Sequence, residues 1–155
     1  MGKPKITVSW AVKKNAAQNA ARVLPALVEE VFRAGRKVAR PDSPKKPLHQ
    51  FRLAVKRFRY TLELFRPCYG PVLKRRLDAL KVLQDFLGEI NDCEMTLGML
   101  ENAELTGLEE SGPLRHFVAA RMQAKRDAFV THWHETFDRP GEEAAWAGYF
   151  KRFAN

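Results

Sequence analysis

Cysteine is scarce: Cys68 and Cys93 are the two in 155 residues, and they lack any CxxC spacing. A disulfide-stapled fold is therefore not expected, and both are read as reduced thiols packing as small apolar residues. No stretch approaches the ~20 uninterrupted apolar residues of a membrane span. Met1 to Trp10 carries Lys3 and Lys5 but no apolar run behind them, so it does not read as a secretory signal, and the cytoplasm is the expected compartment. Period-two runs of Val, Ile and Thr are missing apart from Ile6-Thr7-Val8, too short to build a sheet. Internal repeats and low-complexity segments are missing too. There is no P-loop, GxSxG, HExxH or evident pair of catalytic carboxylates, so an enzyme is not expected.

Acids are also in short supply, 18 against 27 lysines and arginines, for a formal charge of +9. Arg33, Arg36, Lys37, Arg40, Lys45, Lys46, Arg52, Lys56, Arg57 and Arg59 all fall between residues 31 and 62, where Asp42 is the single acid. That segment carries the whole excess, and the other 123 residues balance to zero. A neutral body with one cationic segment points to a polyanionic partner: nucleic acid, polyphosphate or an anionic membrane surface.

The chain reads as all-α, an antiparallel bundle of four main helices plus a short C-terminal helix. The first runs from about Val12 to Val38, with a kink or break expected at Pro25. Arg40 to Pro47, with three prolines, reads as a loop. The second helix opens near Leu48 and closes before Pro67. The third runs from around Pro71 to about Glu101, with close packing or an irregularity expected at Gly88. Thr106 to Gly112 reads as a loop. The fourth helix covers about Pro113 to Phe137, and a tail helix from Glu142 to Phe153 docks through Trp146, Tyr149, Phe150 and Phe153.

On a helical wheel of the second helix, Phe51, Val55, Phe58, Leu62 and Phe65 form one face. His49, Arg52, Lys56, Arg59 and Tyr60 stack on a separate face, and Arg57 stands off to its other side. From His49 to Arg59 the ladder spans about 15 Å. Guanidinium groups take phosphate oxygens through a fork of donors while lysine acts as a point charge, so the ladder suits a linear polyanion. Glu63, one turn beyond Arg59, is placed to pair with it.

The stretch from Leu48 to Tyr60, LHQFRLAVKRFRY, followed by Glu63-Leu64-Phe65, resembles the signature helix of the CHAD family, the conserved histidine α-helical domain. Leu80 to Asp92, LKVLQDFLGEIND, resembles the family's second signature. Together they cover about a third of the chain, and the whole chain, 1–155, is read as one such domain with motifs at 48–65 and 80–92. The resemblance implies an all-helical domain whose basic surface binds inorganic polyphosphate without a cofactor, with association to polyphosphate granules. Carried over by position, the phosphate contacts are His49, Arg52, Lys56, Arg57 and Arg59. Lys81 and, one heptad earlier, Lys74 face the same groove if the two helices pack antiparallel. The family domain usually holds two such bundles around a shared groove, whereas this chain has room for one. It either binds on an open face or, the expectation preferred here, forms a homodimer that rebuilds the groove; like-charge repulsion opposes pairing without the polyanion.

The remaining residues point elsewhere. His132 and His134, two apart on a helix, point roughly opposite ways and do not share a metal. His116 reads as surface. Asp85, Asn91 and Asp92 are read as satisfying local contacts around Gly88 or pairing with cations, rather than as a magnesium site. Arg121 and Lys125 either extend the basic groove or belong to a solvated face. Nucleic-acid binding is the alternative use of the basic surface, but Phe51 and Phe58 lie on the buried face and give no stacking platform. A polyphosphate-active hydrolase would need metal ligands that the sequence does not offer. A membrane-surface role would need the apolar face that the core uses.

Overall fold

A computed structural model of the protein describes residues 9–105, 107 and 112–152. These form helices α1 (Ala16–Val38), α2 (Lys45–Leu64), α3 (Arg66–Tyr69), α4 (Lys74–Leu105), α5 (Gly112–Thr136) and α6 (Glu142–Arg152), with a 3-10 turn at Pro71–Leu73. No strand occurs among the described residues. The all-α bundle expected from the sequence is what forms. Ile6-Thr7-Val8, Phe153 and most of the 106–112 loop lie outside the described residues.

The helix ends follow local chemistry. α1 starts at Ala16 rather than near Val12 because Asn15 and Gln18 form a capping box: the Gln18 N–H donates to Asn15 Oδ1 at 2.8 Å and the Asn15 N–H to Gln18 Oε1 at 3.1 Å. Buried Asn19 ties the preceding turn down, accepting from the Ala11 N–H and donating to the Ala11, Lys14 and Asn15 carbonyls. Of the kink or break expected at Pro25, the break does not occur: the helix is continuous through it. Leu24, Leu27 and Val28, buried on either side, offset a proline penalty of roughly 3 kcal/mol.

α2 begins at Lys45, three residues before the expected start, with Pro44 as its N-cap. Pro47 sits in the first turn, where a missing N–H breaks no helical bond. After Leu64 the chain makes the short α3, turns at Gly70 with φ of 69° and enters α4. α4 runs without interruption past Gly88, where a Cβ would meet open space. The close packing expected there occurs instead at Gly35, where a Cβ would run into the Trp133 indole.

The core is built from Leu24, Val28, Phe32, Phe51, Val55, Phe58, Leu62, Leu80 and Leu83, and is completed by Phe129, Trp133, Phe137, Trp146 and Phe150 from α5, α6 and their connection. Phe32 carries an aromatic cluster, with Trp133, Phe137 and Trp146 all within 6.0 Å between ring centroids. Tyr149 and Phe150 are buried as the tail-helix pattern predicts, and the Tyr69 hydroxyl donates to the Phe150 carbonyl at 2.8 Å. Cys68 and Cys93 are free and buried, as expected. Ion pairs fix α5 against α4 in antiparallel register: Glu104 with Arg115, Glu94 with Arg126 and Glu89 with Lys125.

A candidate anion-binding groove

The rotation of α2 is set by its apolar face. Leu48, Phe51, Val55, Phe58 and Leu62 are all buried, which leaves the cationic ladder at the margin between core and solvent. His49 is exposed, while Arg52, Lys56 and Arg59 are half-buried. Arg52 faces α4 in a shared crevice and Arg59 reaches Gln84 on α4, while the Lys56 ammonium lies over the Tyr60 ring.

α4 forms the other wall. Arg59 Nη1 donates to Gln84 Oε1 at 3.1 Å, and His49 Nδ1 lies 3.4 Å from Asn91 Oδ1. Rising numbers on α2 meet falling numbers on α4, so the helices are antiparallel, the condition under which the second motif faces the first. Gln84 and Asn91 both belong to that motif. They contribute neutral amides, which orient Arg59 and His49 without adding negative charge.

The ladder is not uniformly paired. Arg59 also donates to Glu63 Oε1 at 3.0 Å. Arg52 and Lys56, in the middle, have no carboxylate within 4 Å among the described residues. Arg52 lines a narrow crevice with His49, Leu87, Ile90, Asn91 and Glu94, and its Nε is buried without a partner. Lys56 Nζ and the Arg59 guanidinium flank the exposed ring of Tyr60, at 5.8 and 5.7 Å from its centroid.

The other expected contacts are placed differently. Arg57 sits across α2 beside Glu30, whose carboxyl is pushed up by burial against the opposing pull of Arg57 and Arg33. Lys81 pairs with Asp85 at 3.4 Å, and Lys74 with Asp78 at 2.6 Å, so each is neutralised within its own turn. Lys125 faces Glu89 at 2.6 Å rather than the groove. His132 is half-buried against Phe86, and burial pushes its pKa down; His134 pairs with Asp138 at 3.2 Å. A wider groove between α1 and α6 is also lined by charges, but Arg36 there is bound to both Asp138 and Glu143.

Sequence reasoning gave Gln84 no role, although its place in the second motif was the available signal. It also missed the Arg126–Glu94 pair, whose partners are 32 residues apart and on different helices.

The family model of the CHAD domain matches residues 4–101, which contain both walls of the groove. The chain belongs to the CHAD family. That family is associated with polyphosphate binding in general. Among curated proteins and solved structures no match was found. No helix among the described residues of this CHAD chain is long and apolar enough to cross a membrane.

Proposed function

We propose that this CHAD-family chain is a non-catalytic module that binds inorganic polyphosphate along the α2–α4 groove. The observation that carries the reading is the row His49, Arg52, Lys56 and Arg59 set against neutral amides of α4, with Arg52 and Lys56 uncommitted to any carboxylate within 4 Å among the described residues. Two unneutralised cations in a half-buried row interact with a chain of phosphates more strongly than exposed, paired ones. Arg57 supplies charge from the far flank of α2. Lys74 and Lys81 contribute after exchanging their aspartates for phosphate. The polar neighbour of His49 is the Asn91 amide, whereas a phosphoryl-accepting histidine needs a base or an orienting carboxylate, which supports binding without catalysis.

α5 and α6 fall beyond the family match, yet their aromatic residues complete the core, which supports treating residues 1–155 as one folding unit. The homodimer suggested by the single bundle belongs to the same proposal, with the polyanion neutralising the two facing grooves.

The test is competition at 150 mM salt between long-chain polyphosphate, duplex DNA and single-stranded RNA at matched phosphate concentration. The expected result is tight polyphosphate binding that nucleic acid does not displace and that is lost in the Arg52→Ala/Arg59→Ala protein with helicity intact. Equal or tighter nucleic-acid binding would make the groove a general polyanion face, with Tyr60 as its exposed ring.

A further inference from the structure

The cationic row of α2 has two unlike ends. Because the helix begins at Lys45, that lysine falls in register with the ladder: Lys45, His49, Arg52, Lys56, Arg59 and Glu63 follow at spacings of four, three, four, three and four. Such spacings place all six along one edge of the helix. A reading that starts the helix at Leu48 leaves Lys45 in a loop and out of the row.

At the N-terminal end no ion pair holds the row among the described residues. The first turn of α2 holds no acid, and Lys45, an exposed residue, has no carboxylate within 4 Å among the described residues. The C-terminal end is closed. Glu63 occupies the next step of the row and holds Arg59 through Nη2 at 3.0 Å. α2 ends one residue later, and the next cation, Arg66, belongs to the separate short α3. A phosphate approaching Arg59 must displace a carboxylate already in place. A phosphate approaching Lys45 displaces only water and counterions.

We propose that the polyanion track is one-ended: Lys45 extends it past His49, to a length of about 21 Å from Lys45 to Arg59, while Glu63 is the acidic stop that limits it beyond Arg59. A chain longer than the row therefore overhangs past Lys45. This inference rests on the polyphosphate reading above and specifies how the same groove sets its footprint.

The experiment measures the affinity of the full chain for long-chain inorganic polyphosphate as a function of salt, because each phosphate contact adds about one to the slope of log K against log salt. Lys45→Ala is expected to lower that slope by about one and to weaken binding several-fold. Glu63→Gln, which keeps the size and removes the charge, is expected to raise the slope by about one and tighten binding. Lys13→Ala, which removes an exposed lysine ahead of α1, is the control for net charge alone and should leave the slope unchanged. Circular dichroism melts confirm that each protein is folded. A Lys45→Ala slope equal to that of Lys13→Ala, or an unchanged slope in Glu63→Gln, overturns the one-ended track. Failure of the underlying reading looks different: the unaltered chain does not retain polyphosphate, or Arg52→Ala leaves its affinity unchanged.

Discussion

Arg59 reaches across from α2 to α4 and donates to Gln84 at 3.1 Å, so the last cation of the ladder is held by an amide from the opposite wall. The contact joins the two sequence motifs physically. It also fixes the guanidinium, which is worth more to a bound phosphate when the side chain is already ordered. Gln84→Ala should therefore weaken polyphosphate binding by about 0.5–1.5 kcal/mol, roughly two- to tenfold, while leaving thermal stability nearly unchanged. Isothermal titration beside a melting curve separates the two effects.

Lys56 and Lys81 are both lysines of the two motifs, but they are not equivalent. Lys81 already has Asp85 at 3.4 Å, whereas Lys56 has no carboxylate within 4 Å among the described residues. Removing Lys56 deletes an uncommitted charge; removing Lys81 also releases a carboxylate, leaving a repulsive group near the ligand. Lys81→Ala and Asp85→Asn/Lys81→Ala should consequently differ, with the double variant restoring binding lost in the single one by roughly 0.2–1 kcal/mol, the range of an exposed pair. Lys56→Ala should have no such rescue. Equilibrium affinities of the four proteins decide the matter.

Two of the helical glycines, Gly35 and Gly88, give opposite predictions. A methyl group at Gly35 collides with Trp133 in the packed core, and Gly35→Ala should cost about 1–3 kcal/mol or more. Gly88 has open space where its Cβ would stand, so Gly88→Ala should stabilise α4 by up to about 1 kcal/mol. Urea midpoints with unchanged slopes check both.

That contrast shows where sequence reasoning reached and where it stopped. The apolar periodicity of Phe51, Val55, Phe58 and Leu62 was enough to place the ladder, because burying one face of a helix fixes the direction of the others. Gly35 carries no local signal in the sequence, since its reason for being there is an indole 98 positions later. At Pro25 local propensity predicts a kink or a break, and the packing of Leu24 and Val28 accompanies a helix that does not break. Pro47 reads as loop when its place in the helix is not known, yet a first-turn proline costs α2 nothing, and that small error hides Lys45 from the ladder. The aspartates beside Lys74 and Lys81 were visible at i+4, whereas the isolation of Arg52 and Lys56 depends on what α4 places opposite them.

His132 makes stability respond to acid. Burial lowers its folded-state pKa below the ordinary value of 6.5, so the unfolded chain takes up a proton first as pH falls. Stability contributed by the neutral ring is present above the unfolded pKa and declines below it, down to the folded pKa. Urea unfolding should show a loss between pH 7.5 and pH 5.5 that is smaller in His132→Phe. An equal loss in both proteins would place the acid sensitivity elsewhere.

Arg126 links the far side of the bundle to the groove. Its guanidinium bonds Glu94 Oε1 at 3.0 Å and the Ser43 carbonyl at 2.8 Å, with Arg126 and Glu94 only 13% and 9% exposed in their side chains. The first bond holds α5 to α4. The second holds the connection just before α2, and with it the position of the turn that carries Lys45 and His49. Removing the arginine leaves a buried carboxylate without its partner, a change that typically costs about 3–5 kcal/mol. Arg126→Ala should show that loss, and Glu94→Gln/Arg126→Met, which removes both charges, should recover much of it. If the Ser43 bond also positions the start of α2, the recovered double variant should still bind polyphosphate more weakly than the unaltered chain, because methionine does not donate to the carbonyl. Full recovery of both stability and affinity would confine Arg126 to holding α5.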